Sequence, residues 1–398
     1  MSSSIDPPPS VFPPPPPPAS GLARYRLLSP RAAGARVSPI QLGGMSIGDK
    51  WGAVLGAMNK EDSWRMLDAY YEKGGNFIDT ANFYQEGSSE EFIGEWAEKR
   101  GIRDRLFIAT KYTNNAFPNS PDGNRAHRIL SAGNNAKSMH ISIRESLKRL
   151  RTDYIDLFYV HWWDFDASVE EVMHALHALV LQGKVIYLGI SDTPAWVVSM
   201  ANQYARDHAL TPFSVYQGQW NVLERSFERD IIPMARNQGM ALAPWDVLCG
   251  GKIRTDAEEA RREASAEYGR GGAAFYKRTP AQRAMSQALE KVASQVGAKS
   301  ITSVAIAYVM QKTSFVFPII GGRKVEHMLQ NLEALEISLS EEQIRYIESV
   351  VPFEAGFPNN IVGDGTAYKD ISLVNGNIDK QVAYEPIRPN TASSRKTQ

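Results

Sequence analysis

Three short apolar runs in this chain lead into groups that could do chemistry. NFIDTANFY (76–84) passes through Phe77 and Ile78 to Asp79 and then Tyr84. LFIATKY (106–112) leads to Lys111, and YIDLFYVHWWD (154–164) leads to His161. Each run is of strand length and rich in β-branched and aromatic residues, as a buried parallel strand is. An ionisable group at a buried strand end is costly unless it has a partner there. Asp, Tyr, Lys and His at equivalent ends of neighbouring strands would be partners for one another. A tyrosine phenol has an ordinary pKa of about 10, and a cation beside it favours the phenolate. Lys111 supplies the cation, and Asp79 holds it charged and oriented. A neutral His161 donates to the same substrate oxygen as Tyr84. A carbonyl held between the two is polarised, and Tyr84 can protonate the developing alkoxide. The set lacks a two-electron donor, and no metal-ligand set is evident. Hydride from a nicotinamide is the natural complement.

The elements that must position these groups alternate along the chain. Apolar strand candidates fall at 37–43, 76–79, 106–110, 155–160, 185–190, 213–217, 240–244 and 315–320. Helical segments lie between them at 60–73, 134–150, 168–182, 194–207, 227–238, 281–296, 301–311 and 324–335. Within 134–150, Met139, Ile143, Leu147 and Leu150 share one helical face. Eight strands alternating with helices at this length imply an α/β fold, a (β/α)8 TIM barrel, with catalytic groups at the C-terminal strand ends. The competing architecture is a doubly wound open sheet. It calls for a G-x-G-x-x-G turn after the first strand, and LGGMSIG (42–48) has the wrong spacing. The strand ends offer Asp79, Lys111, His161, Ser191 with Asp192, Gln217, Trp245, and Gly321 to Arg323 to one pocket.

The rest of the chain bounds the reading. Lys+Arg and Asp+Glu both number 44, so charge gives no reason to expect nucleic acid or an anionic membrane as partner. One cysteine, Cys249, excludes an internal disulfide, and no His-paired arrangement marks it as a nucleophile. Residues 1–22 are Pro- and Ser-rich, without the pattern of a signal peptide. They are expected to be a disordered tail or a docking segment for a proline-reading domain. The barrel is expected over 23–351, and 352–398 as a C-terminal extension packed against it. A cytoplasmic location is the expectation. The segment 249–279 is long for a barrel loop, so it is either a surface insertion or a lid. In the lid reading Gly250, Gly251 and Gly269–Gly272 act as hinges, and Lys252 and Arg254 as phosphate partners. His127, His140, His174, His177, His208 and His327 fall on helices or loops and read as structural.

Several motifs carry a resemblance. GGNFIDTANFYQEGSSEEFIGEW, ATKY, SLKRLRTDYIDLFYVHWWD, GKVIYLGIS and PIIGGRKVEHMLQNLEALEISLS resemble the aldo-keto reductase superfamily over about residues 37–350. The SDTPAWVV, PWDVLCGGK and PFEAGFPNN segments resemble its fungal aryl-alcohol dehydrogenase and norsolorinic-acid-reductase-like branch. The resemblance implies a tetrad of Asp79, Tyr84, Lys111 and His161, with Tyr84 as acid–base. It implies an NADP cofactor across the barrel mouth. Ser191, Asp192 and Gln217, with Asp79, would hold the carboxamide side, and Trp245 would stack on the nicotinamide. Asp246, Val247, Leu248, Gly250 and Lys252 would pass over the pyrophosphate. Gly321, Gly322, Arg323, Gln330 and Asn331 would meet the adenosine end, with Arg323 and Lys324 able to pair with a 2′-phosphate.

The chain departs from many relatives at Asp192, where they have Asn, and at Trp245-Asp246, where they have Tyr-Ser. A carboxylate accepts from a carboxamide NH2 but cannot donate to its oxygen. The substrate implied is an aryl or polyketide-derived carbonyl, or the matching alcohol, held at Tyr84, His161 and Trp162. Trp51, Phe83, Tyr112, Trp163 and Trp245 are further aromatic candidates near the mouth. A second reading is a cofactor-sensing regulatory subunit, since potassium-channel β subunits resemble the same superfamily.

Overall fold

The computed structural model describes residues 16–31, 33–55, 58–117, 125–265 and 276–389. A two-stranded hairpin comes first, β1 (Arg26–Leu27) and β2 (Arg36–Val37). Eight parallel strands follow: β3 (Gln41–Gly43), β4 (Phe77–Asp79), β5 (Phe107–Tyr112), β6 (Ile155–Val160), β7 (Val185–Ser191), β8 (Phe213–Gln219), β9 (Ala241–Trp245) and β10 (Ile319–Ile320). Their spatial order is β10-β3-β4-β5-β6-β7-β8-β9. The bridge Leu242↔Val316 ties the last strand segment back to β9 and brings the ring nearly to closure. That topology is the barrel and excludes the open doubly wound sheet.

The interior is filled by side chains, as expected for eight strands. Phe77, Ala109, Leu157, Tyr159, Val215, Ala243 and Phe317 form one cluster, and Leu28, Ala33 and Val37 of the hairpin region join it. The hairpin therefore plugs the N-terminal mouth of the barrel and leaves the C-terminal mouth for function. No helix among the described residues is long and apolar enough to cross a membrane.

Several expectations need correction. The run 37–43 is two strands, because Pro39 has no N–H to donate to a ladder. The chain turns there, and the Asn76 carboxamide oxygen takes the Ser38 amide at 2.7 Å. Near the end of the barrel, 315–320 is split at Pro318, which has no N–H to donate: Val316 bridges Leu242 of β9, and only Ile319–Ile320 form a strand, paired with β3.

A helix at Ser88–Arg100 was not among the segments read from the sequence. Its buried face mixes Phe92, Ile93 and Trp96 with Ser88, Ser89 and Glu90, so the apolar stripe is weak. Gly94 lies on that face because a Cβ there would meet Arg149 O at 2.4 Å, so this helix and Ala136–Leu150 touch backbone to backbone. The segment 249–279 is not a plain loop, since Asp256–Ala264 is a helix capped by Thr255. Its expected hinge at Gly269–Gly272 lies outside the described residues.

The ends also differ from expectation. Residues 1–15 of the expected disordered tail lie outside the described residues, but its last part belongs to the folded body. Gly21–Ala23 form a 3-10 turn and Leu22 is 0% exposed in the outer core. The C-terminal extension touches the barrel at a few points, and most of its described residues are exposed. Arg229 donates to Ala355 O at 2.8 Å, and Asn359 donates back to Arg229 O at 2.8 Å. Arg388 donates to Leu339 O at 2.9 Å.

Truncating a fully buried leucine removes its transfer free energy and leaves a cavity. Leu22→Ala is therefore expected to lower the stability of the whole barrel by about 3 kcal/mol. Urea titration followed by tryptophan fluorescence measures this. A loss under about 0.5 kcal/mol, the scale of a surface change, would return residue 22 to a dispensable tail.

Candidate active site

The barrel places a buried ion pair at the floor of its mouth. Lys111 is 0% exposed and Asp79 is 2% exposed. The Lys111 ammonium donates to Asp79 Oδ1 at 2.6 Å and to the Thr80 carbonyl at 2.8 Å. Gln217, from β8 across the barrel, donates to Asp79 Oδ2 at 2.9 Å. Both carboxylate oxygens are thus engaged, which makes burial of the pair tolerable.

Tyr84 arrives on the turn after β4. Gln85 and Glu86 have left-handed backbones, with φ of 50° and 56°. The Gln85 side chain fixes this turn: its oxygen accepts from Lys50 and Trp51 amides at 3.0 and 2.7 Å, and its NH2 donates to Met45 O at 3.0 Å. The result sets the Lys111 ammonium 4.9 Å from the Tyr84 ring centroid and the Tyr84 and His161 rings edge-on at 5.8 Å.

The electrostatics differ from the sequence expectation in one respect. Burial pushes the Tyr84 phenol up, and the Lys111 cation opposes this without overcoming it. Burial is the largest cause, and Asp79 and Asp192 add to the rise against the Lys111 cation. Lys111 is desolvated too, but Asp79 and Tyr84 hold its pKa above the usual lysine value. His161 is held well below the usual histidine value, first by burial and then by Lys111. At neutral pH the site therefore presents a protonated phenol and a neutral imidazole to the same space. Both can donate a hydrogen bond.

That space is a cavity of about 1050 Å³ running across the barrel mouth. Every residue expected to act on cofactor or substrate lines it except Lys111 and Ser191, and of the further aromatic candidates Trp51, Tyr112 and Trp163 do not. Ser191 Oγ is buried without a hydrogen bond of good geometry, with the Asp192 carboxyl beside it. Trp245 Nε1 donates to Asp192 Oδ1 at 3.0 Å, so the two departures from the common pattern are partners.

Asp246 organises its own turn. Its carboxylate accepts from Gly250 N at 2.5 Å and from Gln219 Nε2 at 2.9 Å. Val247 and Leu248 offer mainly backbone there, since Val247 is buried in the core and Leu248 packs against it. At the far end Gly321, Gly322 and Gln330 are open to the cavity, and exposed Arg323 has no carboxylate partner among the described residues. Asn331 is 6% exposed, and its side-chain oxygen accepts from Thr302 Oγ1 at 2.9 Å, so it also braces the helix at Ile301–Lys312.

Some assignments change. Lys252 donates to Lys277 O at 2.9 Å, and Arg254, expected to meet phosphate, is bonded to Glu259 and to Tyr276 O. These contacts tie residues 252 and 254 to Glu259 and to the 276–277 backbone. Tyr112 and Trp163 are core residues rather than rim aromatics, with Tyr112 stacked on Phe158 at 5.3 Å. Trp51 and Phe83 do pack together at 5.2 Å beside Tyr84. His327, read as structural, lines the cavity. His174, His177 and His208 are bonded to Tyr204, Thr211 and Tyr204 O, and His140 is exposed. The side chain of His127 lies outside the described residues. Burial raises the Cys249 thiol, which keeps it unreactive. Sequence reasoning missed Asn114, whose side chain meets His161 Nδ1 at 3.0 Å. Its position three residues after Lys111, in the loop leaving β5, was the available signal.

The chain matches the Aldo/keto reductase family over residues 39–352. It is 57% identical over 376 residues to the aryl-alcohol dehydrogenase, NADP(+), of Phanerodontia chrysosporium, covering 92% of this chain and 96% of that one. It is 47% identical over 378 residues to norsolorinic acid reductase B of Dothistroma septosporum, covering 92% and 94%. It is 50% identical over 341 residues to norsolorinic acid reductase A of Aspergillus parasiticus, covering 86% and 84%. The chain belongs to the aldo/keto reductase family and is an oxidoreductase.

Breaking one side of a buried pair leaves an uncompensated charge, whereas removing both charges does not. Asp79→Asn is expected to cost about 3 kcal/mol of stability, and adding Lys111→Met should restore most of it. Denaturant unfolding of the single and double variants measures the difference. Additive losses would show that the pair is not the internal brace described above.

Proposed function

We propose that this aldo/keto reductase is an NADP-dependent reductase of aryl or polyketide-derived aldehydes and ketones, running reversibly as an aryl-alcohol dehydrogenase. The observation that carries the reading is the convergence of the Tyr84 and His161 rings, 5.8 Å apart, on one wall of the cavity, with the Lys111–Asp79 pair beside them.

The residues present fit a dinucleotide. The cavity is long enough to reach from Tyr84 to Gly322 and Arg323. Ser191 Oγ and Gln217 stand at the carboxamide end, Trp245 offers a ring face, and Arg323 offers a cation at the other end. NADPH, when bound, supplies the hydride that reduces the substrate carbonyl carbon. Tyr84 and His161 bind the carbonyl oxygen and polarise it. Tyr84 then gives up its proton to that oxygen as negative charge grows there. Lys111 stabilises the phenolate left behind, and Asp79 keeps Lys111 in place. Trp51, Phe83 and Trp162 form an aromatic edge beside Tyr84 and His161 that suits a flat ring system. Arg323 is the residue assigned to the 2′-phosphate.

The test is NADPH consumption by the purified protein over aryl aldehydes, aryl ketones and anthraquinone ketones. Turnover is expected, and Tyr84→Phe should lower kcat by roughly 10²–10⁴-fold with NADPH affinity unchanged. Loss of cofactor binding in that variant would move Tyr84 out of the acid role. Absence of turnover with every carbonyl class, despite tight NADPH binding, would favour a cofactor-sensing subunit.

Asp192 makes the cofactor site pH-dependent. Burial raises its carboxyl to about 6, against the opposing pulls of Trp245, Lys111 and Ser191. Since Trp245 occupies Oδ1, the proton belongs on Oδ2, and a protonated Asp192 can donate to the carboxamide oxygen as an asparagine would. Binding through the protonated form is favoured below that value and weakens as pH rises through it. The ratio of wild-type to Asp192→Asn affinity for NADPH should therefore fall by about tenfold between pH 5.5 and 7.5, the scale of one hydrogen bond between neutral groups. Titration of the cofactor's own phosphate is common to both proteins and cancels. A ratio independent of pH would assign the carboxamide contact to the carboxylate form.

A further inference from the structure

We propose that Asn114 is a positioning residue that holds His161 in the tautomer with its proton on Nε2, the nitrogen able to donate to the substrate oxygen. The inference rests on the reading of His161 as that donor. The Asn114 side-chain nitrogen lies 3.0 Å from His161 Nδ1. An amide can present either its oxygen or its NH2, so the direction of this bond has to be fixed by another contact. Trp162 fixes it. Its indole N–H, which can only donate, lies 3.4 Å from Asn114 Oδ1. The oxygen is thereby turned to the indole and the NH2 to the imidazole. An NH2 cannot accept, so Nδ1 must be the bare nitrogen. In a neutral ring the proton then sits on Nε2.

The surroundings keep this arrangement in place. Asn82 Nδ2 donates to the Asn114 carbonyl at 2.8 Å. The His161 amide donates to Thr113 Oγ1 at 3.2 Å and to Tyr112 O at 3.3 Å. Thr113 has a left-handed backbone, φ 96°, which turns Asn114 toward the ring. Lys111 on β5 is the charged group acting on the imidazole, and Tyr84, on the turn after β4, is the titratable ring beside it. Asn114 works in the same direction as Lys111. An imidazolium would set an Nδ1–H against the amide NH2, donor against donor, so the neutral ring is favoured.

Long-range proton–nitrogen NMR on protein carrying 15N-histidine reads the tautomer directly, with His161→Gln assigning the signal. In the wild type, Nδ1 is expected to be unprotonated and Nε2 protonated throughout about pH 6–8. In Asn114→Asp the carboxylate accepts, so the proton should move to Nδ1. At pH 8 that variant should lose about 100-fold in kcat, the scale of one lost donor to a developing oxyanion, while its NADPH affinity holds. Its rate should recover as pH falls and the ring gains its second proton. A protonated Nδ1 in the wild type overturns the inference, whether or not the variant folds. So does an Asn114→Asp protein with unchanged kcat and pH profile. Should the spectrum be as expected while His161→Gln retains full carbonyl turnover, Asn114 still sets the tautomer and it is the reading of His161 as the donor to substrate that fails.

Discussion

A lysine with no solvent exposure sits at the centre of this molecule, and the site is arranged around its ion pair with Asp79. A buried ammonium is tolerable only with close anionic and dipolar partners. Asp79 and the Thr80 carbonyl meet that demand from one strand end, and Gln217 completes the carboxylate from the far side of the barrel. Three strands are thereby tied at one point by polar contacts inside an apolar shell. The same pair sets the field felt by the two donors, since Lys111 contributes to the shifts of both Tyr84 and His161.

Those two shifts are opposite in sign yet serve one purpose. Burial disfavours the charged form of any group, so it raises a phenol and lowers an imidazole. Both groups are kept neutral and able to donate. The Lys111 charge, opposed by burial and by Asp79, is insufficient to ionise Tyr84 in the resting site. It is available once the phenol begins to lose its proton. A phenolate would be stabilised by the same contact that leaves the phenol nearly undisturbed. In the proposed reaction a neutral phenol would suit proton donation to a carbonyl, and the reverse oxidation would need the phenolate.

The sequence displayed the four catalytic candidates because a buried strand is an apolar run, and a charge at its end stands out. It displayed the helices Ala136–Leu150 and Val169–Leu181 because one face of each is apolar at helical spacing. It concealed the helix Ser88–Arg100, where Glu90 is buried against Thr110 and Arg149, so polarity does not report exposure. Pro39 and Pro318 sit inside apolar runs that look continuous, and only the barrel geometry shows that each run is divided there. Leu22 reads as the edge of a proline-rich tail, but its burial depends on neighbours far along the chain. Asn114 was illegible for a related reason. An asparagine in a loop has many uses, and only the positions of Trp162 and His161 select one.

Among the described residues, seven of the ten non-glycine residues with positive φ lie on loops leaving barrel strands, and Arg151, Ala209 and Phe315 lie elsewhere. Gln85 and Glu86 follow β4, Thr113 follows β5, Phe165 follows β6, Asp192 follows β7, and Asp246 and Cys249 follow β9, all with positive φ. Each such residue costs energy that a glycine would avoid. Gln85, Asp192 and Asp246 use their side chains, which glycine lacks, to fix the Tyr84 turn, to bond Trp245 and to cap the Gly250 turn. The strain is sustained because the strands beneath are held by a packed interior and a plugged floor. Replacing one of these residues by glycine would therefore relieve local strain and release the side chain that holds the loop. The stability of the fold and the geometry of the mouth should then change in opposite directions, which is the expected signature of strain retained for positioning.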